Sequence, residues 1–398
     1  MKQKQKQKQK LTHSHFLTPG IILLGIVWRS PLTTLSTVLS NIASGLGVEV
    51  SSLGLLTSLP LLTFAIFSPF AASWAKRFGI ERLFLGVLIV MTLGSALRTF
   101  NLPLLYLGTI LVGAGTAFIN VLLPSLIQAN QPDRLGFLTT LYITSMGLST
   151  AVASSVAVPI TKAASWQGLV WVLTAVCALA LVIWLPNVRH NHYLEQGTST
   201  SENSGSWYKS GKVWAIIIFV GLQALFFYTT ITWLPTMATQ AGVGEANAGI
   251  LASVFTLTSI PFSMIVPSLI TKLSDSNRHL MLVTTVLAGL IGVAMLLVNT
   301  DSFVYWLVLN LLIGSSASVL FPYIMVVFSM KASSPEKTAQ LSGLAQTGGY
   351  IFAALGPVLF GSSKQLFNSW TPAVLILLVL TLIMGIALYK VEKTDVIL

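Results

Sequence analysis

The chain is organised as a succession of long apolar runs, most of about 18 residues or more, broken only by short polar segments. A run of that length wound as a helix covers the roughly 30 Å hydrocarbon core of a bilayer. Charged residues make up 8% of the sequence, against about 25% in soluble domains. So few charges cannot cover the surface of a water-soluble fold of this length. An all-α membrane protein with twelve transmembrane helices is therefore expected, with lipid facing its exterior.

The apolar runs fall near 17–40, 52–75, 82–98, 102–129, 136–160, 166–186, 212–238, 246–271, 279–298, 303–330, 338–362 and 371–390. Between them lie turn and charge signals such as QPDR, LSDSNR and SSPEK. One connection, 187–211, is long and rich in Ser, Gly, Asn and Thr, the composition of a flexible linker. The expected organisation is a basic tail (1–16), a six-helix half (17–186), the linker (187–211), a second six-helix half (212–390) and a short tail (391–398).

Lys and Arg total 22. With the N-terminus in the cytoplasm, 18 fall in cytoplasmic segments and three, Arg98, Lys162 and Lys364, in outside loops; Arg29 lies inside the first run. That asymmetry predicts both termini and the linker on the cytoplasmic side of the membrane. The net charge of +11 is spread over the tail and short loops, so it points to anionic lipid and not to nucleic acid. Cys177, the single cysteine, reads as a small buried residue. No histidine lies deep in an apolar run and no zinc-type spacing appears, so neither metal nor cofactor is expected.

The two halves carry traces of duplication. Gly54-Leu-Leu-Thr-Ser58 recurs as Gly249-Ile-Leu-Ala-Ser253, and Pro132-Asp133-Arg134 recurs as Pro335-Glu336-Lys337 in the equivalent loop. Six helices plus six, joined by a cytoplasmic linker, is the organisation of the major facilitator superfamily, whose solute site lies near mid-membrane between the halves. Four stretches, GLLTSLPLLTFAIFSPFAASWAKRFGIER (54–82), NVLLPSLI (120–127), YTTITWLP (228–235) and LSGLAQTGGYIFAALGPVLFG (341–361), resemble the cyanate and 2-nitroimidazole transporter family of that superfamily. The resemblance implies a multi-pass permease for small anionic or polar solutes, working by alternating access. The superfamily's loop after the second helix reads glycine, three residues, aspartate, a basic residue, any residue, glycine. Here Lys76 stands at the aspartate position and Ala72 at the first glycine. Lys76, Arg77, Gly79, Glu81 and Arg82 are the candidate gating loop, with Glu81 a candidate substitute for the aspartate that nothing else in the sequence supports.

Arg29 is the most informative residue. A charge at the bilayer centre costs roughly 2.5–3.5 kcal/mol on insertion scales and normally faces the interior of the bundle. Arg keeps its proton. All eleven acids fall in loops, tails or helix ends, so no span carries a deep carboxylate. The guanidinium is accordingly expected to meet an anionic or electron-rich solute through paired N–H donors; backbone carbonyls near Pro31 are the competing partners. The absence of a deep acid also argues against a proton relay through a buried carboxylate.

Further candidates share Arg29's depth. Trp28 is its neighbour, Asn120 lies in the fourth run and Tyr142 in the fifth. Gln223 and Phe227 share a helical face with Tyr228 adjacent, and Gln346 and Tyr350 repeat that spacing. Each has a plain alternative as packing or interhelical glue. No HExxH or GxSxG motif and no deep acid or histidine supports catalysis, so an enzyme is not expected. The runner-up reading is a multidrug efflux transporter, suggested by GGYIFAALGPVLFG but disfavoured by the lack of deep acids for cationic drugs. The expected partners are a small-molecule solute and the lipid bilayer, and the expected state is a monomer.

Overall fold

The computed structural model describes residues 14–48, 53, 55–194 and 210–398. Most of the basic tail, Glu49 and the linker's 195–209 lie outside the described residues. Among the described residues there are helices and turns and no strand.

The helices are α1 (Leu17–Ser36), α2 (Leu39–Leu46), α3 (Leu55–Phe78), α4 (Ile80–Leu97), α5 (Leu102–Asn130), α6 (Leu135–Trp184), α7 (Gly211–Gln240), α8 (Glu245–Lys272), α9 (Asp275–Met295), α10 (Phe303–Met330), α11 (Pro335–Phe367) and α12 (Thr371–Lys393). Among the described residues, nine helical segments are long and apolar enough to cross a membrane. Run at 1.5 Å per residue, the 50 residues of α6 would reach about 75 Å, more than twice the hydrocarbon thickness. The backbone breaks at Ala164 (φ −136°) and Ser165 (φ 66°, ψ 170°), so α6 comprises two arms, 135–163 and 166–184, one for each of the apolar runs in that stretch. The protein is a multi-pass membrane protein.

Local chemistry sets the helix ends. Asn101 accepts a hydrogen bond from the Leu104 N–H at 3.0 Å and caps α5. Pro132 opens a short 3-10 turn before α6, and Pro335 is the first residue of α11, both at a position where a missing N–H costs nothing. The duplicated proline-acid-base triplets thus do the same job twice.

By contacts the chain forms two compact units: Met1–Gly197 with Ser334–Ala339, and Thr198–Ser333 with Gln340–Leu398. In the first, α1 packs along α6, and α3 and α4 both pack on α5. In the second, α8 and α9 both pack on α10, and α12 packs on α7 and α9. Lipid tails are as apolar as Leu, so helices gain from close fit more than from hydrophobic burial. Glycine supplies that fit. A Cβ on Gly25 of α1 would lie 3.0 Å from the Tyr142 Cα, and one on Gly349 of α11 would lie 3.3 Å from the Gly221 amide of α7. Outward faces carry Leu93, Val182, Ile291 and Val379, all exposed, as lipid contact requires.

Candidate functional site

Arg29 lies past the middle of α1 and is half-buried. Ile22, Ile26 and Thr33, also half-buried, share its stripe at helical spacing, whereas Trp28, Ser30 and Pro31 are buried. The helix therefore presents the guanidinium on its more open side and packs the opposite side. Pro31 has no N–H to give the preceding turn, and hydroxyls tie down the carbonyls around it: Ser30 donates to Ile26 O at 2.7 Å and Thr33 to Arg29 O at 3.1 Å. Trp28 lies against Tyr142 of α6, ring centroids 5.7 Å apart. Tyr142 and Asn120 are both fully buried, so helix packing fixes their places.

In the second unit, Gln223 is buried and donates to the Ala317 carbonyl of α10 at 3.4 Å. Phe227 meets Tyr228 edge-on at 5.3 Å and Phe255 at 6.2 Å. Gln346 is buried and donates to the Ser342 hydroxyl at 3.1 Å, while Tyr350 is half-buried. Two apolar grooves of about 180 and 270 Å³ run between helices of this unit, and neither includes a candidate solute residue.

The turn between α3 and α4 is densely bonded within the first unit. Gly79 has φ 80°, and a Cβ there would run into the Asn191 amide, so glycine is required on two counts. Glu81 is buried. Its carboxylate accepts from Asn130 Nδ2 at 3.0 Å and the His192 N–H at 2.6 Å, and its Oε1 lies 2.7 Å from His192 Nδ1. Arg82 donates from its backbone to Asn191 Oδ1 and from its side chain to the Tyr193 hydroxyl. Arg77 lies over the Phe78 ring. Lys76 pairs with Glu336 at 2.5 Å, Ser125 donates to Pro335 O at 2.6 Å, and Thr338 donates to Gln128. The first turn of α11 is held to α3 and α5 by these links.

A family model described as Major Facilitator Superfamily matches residues 18–357, with a second match over 234–396. The chain belongs to the Major Facilitator Superfamily. It is 33% identical over 379 residues to the uncharacterized transporter YycB of Bacillus subtilis (strain 168), covering 94% of this chain and 92% of that one. It is 32% identical over 373 residues to the 2-nitroimidazole transporter of Escherichia coli (strain K12), covering 93% of each. The cyanate transport protein CynX of the same organism is 24% identical over 360 residues, 88% of this chain and 90% of that one. Among solved structures, the proton:xylose symporter XylE superposes with TM-score 0.75 at 12% identity over 94% of this chain and 95% of that one, which shows the shared fold. The Major Facilitator fold and the resemblance to the cyanate and 2-nitroimidazole transporters are thus established, and the protein is a transporter of small solutes.

In this Major Facilitator chain the usual aspartate after the second helix is replaced by Lys76, whose partner is an acid on α11. The sign of the loop charge is reversed and its carboxylate comes from another helix. The bonds of Glu81 run to α5 and to the chain following α6.

Arg98, counted with the outside loops, directly follows α4 and is fully buried. Its Nη1 donates to the Pro31 carbonyl at 2.6 Å. It sits at the end of an apolar run, and nothing in local periodicity told a loop arginine from one that reaches back into the bundle. A second group also had no local signal: Arg278 of α9 bonds Glu392 of α12 at 2.5 Å, with Tyr323 donating to the same carboxylate and Lys331 to the Glu392 carbonyl. Only the excess of charge at the helix ends hinted at it.

Proposed function

We propose that this transporter moves a small anionic or electron-rich polar solute of the cyanate or nitroimidazole type by alternating access, and that Arg29 is the cation that holds it. The proposal places both termini and the linker on the cytoplasmic side of a bacterial plasma membrane and takes the working unit as a monomer. The observation that carries it is the place of Arg29: a permanent charge past the middle of an apolar helix, on that helix's half-buried stripe. A guanidinium recognises a planar or linear anion through two parallel N–H donors, a geometry that lysine does not reproduce. Relatives named for cyanate and for 2-nitroimidazole support a solute of that size and electron density. Trp28 and Tyr142 brace the helix beside the charge. The reading extends to Asn120 and to the polar and aromatic residues of α7 and α11, namely Gln223, Phe227, Tyr228, Gln346 and Tyr350. Lys76, Arg77, Gly79, Glu81 and Arg82 are proposed to gate.

Loss of a charge-assisted hydrogen bond removes about 1.5–3 kcal/mol, or roughly 10- to 100-fold in affinity. In proteoliposomes loaded with cyanate, a small carboxylate or a nitroimidazole, Arg29→Gln is expected to cut transport at least tenfold and Arg29→Lys to leave an intermediate rate. Wild-type rates in both variants would remove Arg29 from the solute path.

A further inference from the structure

Arg98 poses a problem that the transport reading does not solve. It is fully buried among α4, α1, α5 and the second arm of α6. One nitrogen, Nη1, is fixed on the Pro31 carbonyl. The other two, Nε and Nη2, have no hydrogen-bond partner among the described residues. These two are not an arbitrary pair: in a planar guanidinium, Nε–H and one Nη2–H point side by side and form the fork that grips an anion. The bond to Pro31 O therefore leaves a complete fork and holds it still.

Among the described residues, no acidic side chain bonds or pairs with it. The side chain within electrostatic reach is the Cys177 thiol. One turn away along the same interface, Thr174 donates to the Ser95 hydroxyl at 2.8 Å, a neutral pair. Small residues crowd the arginine, with a Cβ on Gly108 falling 2.8 Å from the Arg98 Cγ. A buried charge lacking a counter-charge costs several kcal/mol, and buried donors with no protein acceptor point to water or an ion.

We propose that the Arg98 fork binds a small monovalent anion inside the N-terminal unit, at a site distinct from Arg29. One guanidinium offsets one charge, and walls of Gly, Cys and Pro favour a halide or an anion as slim as cyanate over sulfate or phosphate. Pro31 follows Arg29 by two residues on α1, so an occupied fork braces the helix that carries the proposed solute cation. The site stands on Arg98's own geometry and does not require the assignment of Arg29.

The test uses the purified full chain in a gluconate buffer, titrated with chloride, bromide, cyanate and sulfate while thermal unfolding is followed. Saturable stabilisation of about 2 °C or more by the small anions, but not by sulfate, is expected in the wild type and in Arg29→Gln alike. Arg98→Lys keeps the charge but loses the fork, and is expected to weaken the apparent affinity at least tenfold. Chloride and cyanate acting equally identifies a resident-anion site; cyanate acting alone identifies a solute subsite. Stabilisation that survives in Arg98→Lys but vanishes in Arg29→Gln overturns the inference and leaves the transport proposal standing. Should Arg98→Lys fail to fold, bromide anomalous scattering from crystals of the unaltered chain decides: a peak at hydrogen-bond distance from Nε and Nη2 supports the site, and its absence at saturating bromide refutes it.

Discussion

The two units solve one structural problem with opposite charges. In each, the start of the third span, the end of the fourth and the chain at the end of the sixth are tied together around a single buried carboxylate. In the first unit the carboxylate is Glu81 on α4, and its partners are Asn130, which ends α5, and His192, which follows α6. In the second it is Glu392 on α12, and its partners are Arg278 on α9 and Tyr323 on α10. The acid has moved from the third span to the sixth, and the base has moved the other way. The difference lies in the partners. Glu392 is held by a cation that never loses its proton, whereas Glu81 is held by neutral donors and one histidine. The duplicated fold constrains where a polar clasp must sit and leaves open which helix brings the acid.

The comparison breaks most visibly at Glu392. Among the described residues, Glu392→Gln leaves Arg278 buried with the exposed Asp275 as its remaining ion-pair partner, and removal of one member of a buried pair costs about 3–5 kcal/mol. A loss at the low end, about 3 kcal/mol, is expected in thermal unfolding, because Asp275 compensates in part. Replacing both Arg278 and Glu392 by Met should restore most of it, since a buried pair is often no better than apolar packing. A single variant as stable as the wild type would show that the pair carries no structural weight.

A smaller effect distinguishes the two clasps by pH. The His192 pKa is raised above its ordinary value, chiefly by the hydrogen bond to Glu81 and further by that carboxylate's charge, with burial opposing. Arg82 and Tyr193 flank the group from α4 and from the same loop. A base whose pKa is raised in the folded state adds stability in full below its unfolded pKa, near 6.5, and loses it as pH rises through the folded pKa. Stability is therefore expected to fall by about 1 kcal/mol or less as pH rises from about 6.5 through the raised folded pKa, the half-exposed setting of His192 screening the pair. His192→Gln should flatten that slope and Glu392→Gln should leave it intact. A slope unchanged in His192→Gln would assign it to another group.

What the sequence made legible follows from what is local. The apolar runs located the spans, because a spanning helix must be apolar along its own length. The repeated Pro132 and Pro335 triplets marked equivalent connections in the two halves, because proline and charge interrupt an apolar run within the segment itself. Arg29 stood out because a charge within an apolar run is anomalous before any fold is known. Arg98 did not, because its meaning lies in a carbonyl 67 positions away, reached by a long side chain folding back from a helix end. Glu81 was visible as a charged loop neighbour, yet its partners Asn130 and His192 come from α5 and the chain beyond α6. Gln223 was noted for its face on α7, but which carbonyl lay opposite depended on how closely α10 approached. Pairings between distant helix ends leave almost no trace in periodicity.

The least of the differences between the two clasps lies in how their third helices begin. Before α9, Ser274 accepts from the Asn277 N–H, a weak cap at 3.4 Å. Before α4, Gly79 has no side chain and a left-handed backbone, with the chain after α6 supplying the bonds instead: Asn191 accepts from the Arg82 N–H and donates to the Phe78 carbonyl. The second unit thus caps its helix from within, and the first borrows the cap from 109 residues away. Ser274→Ala is expected to cost only about 0.5 kcal/mol, the low end for a lost N-cap, given the long bond. Asn191→Ala removes a donor and an acceptor at once and should cost about 1–2 kcal/mol. Unfolding midpoints measured side by side test the ordering. A Ser274→Ala loss as large as that of Asn191→Ala would mean that the distant loop adds nothing a single serine does not.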